Sequence, residues 1–287
     1  MTPNVLESIA HTRAAVSAAR QAGSRIALVP TMGALHAGHA RLIERARQDG
    51  QYVVVSIFVN PLQFDRPDDL ERYPRTMESD LQMCASLGVD AVFAPVVGEM
   101  YPHTPTCTVH VGAVANYLCG QYRPGHFDGV ATVVMKLFQI VTPDRAYFGE
   151  KDAQQLAVVR HLVRDFNLPV DIVGVKTVRE SDGLALSSRN ARLDQEERRL
   201  APALYAGLLE AARLIARGET RANVVKTAAA ARLRAARPLR LEYLEVVDAQ
   251  NMQPVERITG RVIVAGALWV GSTRLIDNVR CDKVVLP

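Results

Sequence analysis

Cysteine is scarce in this sequence: Cys84, Cys107, Cys119 and Cys281 are the only four in 287 residues, and no two are spaced as CxxC. That excludes a zinc ribbon and a redox pair, and predicts reduced, mostly buried thiols. Long apolar runs are missing as well. Val53–Val59 and Val262–Val270 fall far short of the ~20 residues that a membrane-crossing helix needs. The opening stretch carries Glu7, His11 and Arg13 where a secretory signal needs an apolar core, so a cytoplasmic protein without a membrane partner is expected. Neither sign of charge dominates: 34 Lys and Arg against 30 Asp and Glu leave +4. Such an excess admits anionic substrates but does not indicate nucleic-acid binding. No repeat and no low-complexity tract is present. What remains is 48% hydrophobic and 22% charged, the profile of a globular chain with ample core.

The first two thirds alternate short β-rich runs with amphipathic stretches. Arg25–Val29, Tyr52–Val59, Ala91–Ala94, Ala146–Phe148 and Val170–Val175 read as strands; His39–Gln48, Met77–Leu87, Ala131–Val141 and Asp152–Phe166 read as helices. The strand runs are continuously apolar, as strands covered on both faces are. The expected fold class is therefore α/β, a Rossmann-like doubly wound parallel sheet over 1–185. Beyond it, a long helix over Asp194–Arg217 and another over Ala222–Ala236 precede apolar alternations at Leu241–Val247, Arg261–Val270 and Thr273–Asn278. These predict a smaller C-terminal α+β domain, 186–287, with the polar stretch Arg179–Asn190 as the junction and Trp269 in the core.

Four segments carry chemistry. The first strand ends in Pro30-Thr31-Met32-Gly33-Ala34-Leu35-His36-Ala37-Gly38-His39, and a helix follows. Free N–H groups and a helix dipole at such a turn suit a phosphate. Neither a P-loop nor a GxGxxG fingerprint is spelled there, since His39-Ala40 stands where a P-loop has Lys-Ser/Thr. HExxH and a third ligand at zinc spacing are missing too, and no metal-ligating residue is assigned. His36 and His39 can share one side of the first helical turn and stabilise the charge of departing pyrophosphate. The second strand ends in Asn60-Pro61-Leu62-Gln63, where neutral amides suit a small polar substrate. Gly149-Glu150-Lys151-Asp152 opens a later helix with Gln155 one turn on, and Ser187-Ser188-Arg189 supplies hydroxyls and a fixed cation. The loop Tyr122–Gly129 is expected to border the cleft; Asp80 and Gln82 could reach a magnesium ion through water, but nothing in their spacing demands it.

Taken in order, PTMGALHAGH, FVNPLQF, YPRT, PGHFDGV, FGEKDAQQL and ESDGLALSSRN resemble the pantothenate synthetases, the pantoate–β-alanine ligases. The resemblance runs from about Pro30 to Arg192. It implies a superfamily of nucleotidyl-transferring α/β folds shared with class I aminoacyl-tRNA synthetases. It also implies that Met32, Gly33, Ala34, Leu35, His36, Ala37, Gly38 and His39 line ATP, with His39, His36, Lys151 and Arg189 catalytic. Gly149, Glu150, Lys151 and Asp152 would bind nucleotide, with Lys151 at the phosphates. Val178 would touch adenine, and Leu186, Ser187, Ser188 and Arg189 would cover the phosphates. Gln63 and Gln155 would hold pantoate, with Asn60 beside them and Gln63 bordering β-alanine. Leu186 stands where a methionine is frequent in the family, an exchange of similar volume.

The activity so implied is ATP- and Mg²⁺-dependent condensation of pantoate with β-alanine through a pantoyl-adenylate, giving pantothenate, AMP and pyrophosphate, in a homodimer whose C-terminal domain is a lid. Two competitors come from other classes. A nucleotidyltransferase of the same superfamily would pass AMP to a phosphate acceptor and need no amine. A tRNA-binding module is prompted by the basic balance, but the Arg-rich helices after Asp194 interleave Glu and Ala and few aromatics, as solvated faces do.

Overall fold

The structure, a computed structural model, describes residues 2–234 and 238–282. It divides into two compact units. The first comprises Met1–Val111, Arg123–Glu150 and Val158–Lys176; the second comprises Gly112–Tyr122, Lys151–Ala157 and the chain from Thr177 onward.

The first unit is built on a six-stranded sheet of β1 (Asn4–Leu6), β2 (Ile26–Thr31), β3 (Tyr52–Ile57), β4 (Ala91–Phe93), β5 (Arg145–Gly149) and β6 (Asp171–Val175), in the order β1-β4-β3-β2-β5-β6. All pairings are parallel. This is the doubly wound α/β sheet that the alternating pattern predicts. The chain runs from β2 outward through β3 and β4, then crosses back to β5 on the other side of β2. Winding thus reverses between β2 and β5, and ligands of such sheets bind at the carboxyl ends of strands flanking a reversal. The sheet is apolar on both faces because helices cover both. Val29, Val53, Val55 and Tyr147 are fully buried, with Ile43 and Ala46 of the helix Ala37–Gln48 packed against them. The three-residue β1 escapes the sequence pattern because Asn4 and Val5 are exposed and it lacks the unbroken apolar run of the other strands.

The second unit holds an antiparallel sheet, β7 (Arg240–Asp248), β8 (Val262–Val270) and β9 (Thr273–Cys281), and the helices Ala203–Ala216 and Ala222–Arg234. Leu208, Ala211, Val225 and Ala229 of those helices share a core with Val246, Val264 and Leu268 of the sheet. The last residues of the helix expected to reach Ala236 lie outside the described residues.

Three local expectations are corrected. The single helix expected over Asp194–Arg217 is two, Gln195–Leu200 and Ala203–Ala216. Pro202 stands at the N-cap of the second and has no N–H to continue the first. The Asp194–Glu197 capping box is formed as expected. The helix expected from Ala131 begins at His126, so the end of PGHFDGV is helix rather than loop. Trp269 lies half-buried on β8, its indole N–H donating to Glu242 Oε1 at 2.9 Å and its ring 5.0 Å from the Arg240 guanidinium. An indole needs that polar partner, which the core does not offer.

Candidate active site

In the first unit, the turn after β2 is held by side chains of its own and by Asp80. Gly33 and Ala34 are left-handed, with φ of +81° and +50°. Glycine suits position 33, where a Cβ would lie 3.0 Å from Asp80 Oδ2 and 3.1 Å from Ile57 Cγ2. Asp80, from the helix Met77–Ser86, accepts the N–H of Ala34 at 2.9 Å and of Leu35 at 2.8 Å, and the Thr76 hydroxyl at 3.2 Å. The Gly33 N–H goes to Thr31 Oγ1 at 3.2 Å.

His36 is the N-cap of the next helix, and the two histidines cap it reciprocally. His36 Nδ1 accepts the Gly38 N–H at 3.1 Å, while His39 Nδ1 accepts the His36 N–H at 3.3 Å. The ring centroids are 4.2 Å apart, on one side of the turn as the spacing implies. A Cβ at position 38 would come within 2.8 Å of the His36 ring, which accounts for the glycine of HxGH. The N–H groups of Gly33, Ala34, Leu35, His36 and Gly38 are therefore bonded within the chain. At these five positions the open N–H cradle expected from sequence is filled by groups of the chain itself. Because each Nδ1 accepts, each neutral ring carries its proton on Nε2.

Asn60 and Gln63 stand at the carboxyl end of β3, beside the turn Pro61–Gln63. They are 1% and 8% exposed. Asn60 Nδ2 donates to Gln63 Oε1 and to the Gly129 carbonyl, both at 3.1 Å, and Asn60 Oδ1 accepts the Tyr101 hydroxyl at 2.9 Å. The Gln63 carbonyl is gripped by His126 Nδ1 at 2.7 Å and Arg123 Nη2 at 3.1 Å, and Arg123 also pairs with Asp65 at 2.8 Å. Gly129 lets the helix approach: a Cβ there would be 2.2 Å from the Leu62 carbonyl oxygen. Gly149 and Glu150 close the unit's contribution at the end of β5.

In the second unit, Lys151 Nζ lies 3.7 Å from Asp152 Oδ1, and the Lys151 carbonyl accepts Asn278 Nδ2 at 2.8 Å. Gln155 is on the helix Ala153–Asp165, beside Gln154, whose amide nitrogen is spent on the Val114 and Tyr117 carbonyls. The stretch expected as a polar junction is a closed hairpin: Arg179 bridges Ala185, Glu180 N donates to Leu184 O and Leu186 N to Val178 O. Arg179 anchors it through two bonds to Asp277 at 2.6 and 2.9 Å, with its guanidinium 3.7 Å over the Tyr205 ring. At the hairpin tip, the Arg198 guanidinium bonded to Asp182 holds that carboxyl below its ordinary range. Leu186 leads out of the hairpin into Ser187, which caps the turn Ser188–Arg192 through the Arg189 N–H at 3.3 Å.

The profile of the pantoate-beta-alanine ligase family matches residues 4–280. This chain belongs to that family. Pantothenate synthetase of Moorella thermoacetica is 52% identical over 275 residues, 96% of this chain and 97% of that protein. The crystal structure of pantothenate synthetase from Thermus thermophilus superposes with a TM-score of 0.89 at 46% identity, covering 96% of this chain and 98% of that one. Pantoate-beta-alanine ligase of Francisella tularensis, complexed with beta-gamma ATP and beta-alanine, gives 0.79 at 34% identity, covering 96% and 97%. Family membership is legible in the motif strings. The parts played by Tyr101, Arg123, His126, Arg179 and Asp277 are not, because their contacts are made with segments distant in sequence.

Proposed function

We propose that this protein is an AMP-forming pantoate–β-alanine ligase acting through a pantoyl-adenylate. The observation that carries the reading is the reciprocal His36–His39 cap at the end of β2, where the sheet reverses, in a chain of this family. It sets two imidazoles on one side of a helix start, and on this reading they stabilise the charge that builds on a departing pyrophosphate. In the first step a pantoate carboxylate oxygen attacks the α-phosphorus of ATP and the bond to the β-phosphate breaks, releasing pyrophosphate. In the second the neutral β-alanine amine attacks the acyl carbon, the acyl–oxygen bond to AMP breaks, and the amine gives up a proton. Neither step needs a side-chain nucleophile, and catalysis is alignment and charge stabilisation.

Met32–His39, Gly149, Glu150, Lys151, Asp152, Val178 and Leu186–Arg189 are assigned to ATP, and Gln63, Gln155 and Asn60 to pantoate. Lys151, Ser187, Ser188 and Arg189 neutralise phosphate charge alongside the histidines. Among the described residues no group of three or more His, Cys, Asp or Glu is placed to hold a metal ion, and both oxygens of Asp80 accept bonds from the chain. Mg²⁺ fits as part of the substrate, bound by the phosphates of ATP, as this ion commonly is. No helix among the described residues is long and apolar enough to cross a membrane. The reading places the enzyme in the cytoplasm as a homodimer, with the C-terminal unit as the lid that shields the adenylate from water.

Isotope exchange tests the order of chemistry. Labelled pyrophosphate should exchange into ATP in the presence of pantoate and Mg²⁺ without β-alanine, and adding β-alanine should divert the intermediate to pantothenate and AMP. Exchange that ignores pantoate but follows a phosphate acceptor would mark a nucleotidyltransferase instead. Exchange that waits for β-alanine would mark a concerted ligase.

A further inference from the structure

We infer that Tyr101 is a positioning residue for pantoate: it braces the Asn60 amide, whose polarity the Gly129 carbonyl fixes, and so holds the Gln63 amide with its nitrogen toward the substrate. The inference rests on the assignment of Gln63 to pantoate made above.

The polarity follows from an atom whose role is fixed. The Gly129 carbonyl oxygen can only accept, so the Asn60 atom 3.1 Å from it is Nδ2. Asn60 Oδ1 then faces two donors, the Tyr101 hydroxyl at 2.9 Å and the Leu62 N–H at 3.4 Å. The second proton of Asn60 Nδ2 points at Gln63, 3.1 Å away, and only Oε1 can receive it. Gln63 Nε2 is thereby turned toward Met32 Sδ at 3.1 Å, a weak acceptor that a substrate oxygen readily replaces. Gln63 accordingly meets pantoate as a donor and takes an acceptor oxygen.

The Gly129 carbonyl holds one end of the Asn60 amide, and the Tyr101 hydroxyl and the Leu62 N–H hold the other. The tyrosine is itself fixed, with the Phe58 ring 6.0 Å away and the Lys136 ammonium 5.5 Å from its ring centre. Burial pushes its pKa up to about 12, so the hydroxyl keeps its proton at physiological pH. With Asn60 and Gln63 both buried, turning either amide over would set donor against donor. A tyrosine beside the substrate amide thus steadies the pair by which this position selects an oxygen acceptor.

Three variants test this, each assayed for the KM of pantoate, the KM of ATP and kcat. Gln63→Leu should raise the pantoate KM about tenfold or more at nearly constant ATP KM, the loss of one buried bond. Gln63→Glu should lose at least as much, because a carboxylate still accepts from Asn60 but has no proton for pantoate. Tyr101→Phe keeps the ring and should raise the pantoate KM roughly three- to tenfold, again without moving the ATP KM. A general loosening of the fold would raise both. An unchanged pantoate KM in Gln63→Leu removes Gln63 from the pantoate site altogether. A loss in Gln63→Leu keeps that assignment; beside it, wild-type pantoate binding in Gln63→Glu overturns the polarity, and wild-type pantoate binding in Tyr101→Phe overturns the role of Tyr101.

Discussion

His39 Nδ1 accepts the backbone N–H of His36, 3.3 Å away, so the two histidines of the signature are tied to one another through the helix start. A side chain proposed for catalysis is also half of a capping box. Activity and local stability are consequently linked at this position, and both change when the imidazole is removed.

Replacing His39 by alanine removes one electrostatic donor and one cap bond. Turnover of adenylation should fall roughly 10²- to 10³-fold. The fold should persist but lose about 1 kcal/mol, the usual cost of a lost N-cap interaction. Pantoate-dependent exchange and a urea melt measure the two effects separately. Near wild-type exchange in a folded variant removes His39 from the chemistry.

Gly129→Ala tests the close approach that places Gln63. Its Cβ would meet the Leu62 carbonyl oxygen at 2.2 Å, and backbone on both sides leaves nothing flexible to yield. The turn Pro61–Gln63 must shift, carrying Gln63 with it and breaking the Asn60 bond to the Gly129 carbonyl. A destabilisation of about 1–3 kcal/mol is expected from overpacking, with a rise in pantoate KM exceeding that in ATP KM. Equal binding of pantoate by the folded variant contradicts the placement.

Asp277→Ala tests the anchor of the serine-bearing hairpin. Asp277 is 5% exposed and takes two bonds from Arg179, so its removal leaves a guanidinium uncompensated. A loss of about 3 kcal/mol is expected, at the low end for a buried pair because Arg179 keeps the Gly183 carbonyl and the Tyr205 ring. Since the hairpin leads directly into Ser187–Arg189, the ATP KM should rise while the pantoate KM stays nearly constant. A thermal melt with steady-state kinetics on both substrates checks this.

Much of this protein is legible in its sequence. The unbroken apolar runs Ile26–Val29 and Val53–Val55 require a sheet covered on both faces, which points to a parallel α/β fold. The histidine pair after the first such run, followed in order by the amide, GEKD and SSR segments, marks the family. These are local signals: side-chain periodicity, and short motifs read one at a time. The tertiary structure alone decided that winding reverses between β2 and β5, because strand order depends on which edges pair and not on what each strand contains. It also decided that the Asp80 carboxylate takes the N–H groups of the turn after β2, and the direction in which the Gln63 amide faces. Those depend on backbone and side-chain groups from distant segments, the Asp80 carboxylate, the Tyr101 hydroxyl and the Gly129 carbonyl among them, and a hydrogen bond between such segments leaves no period in the sequence.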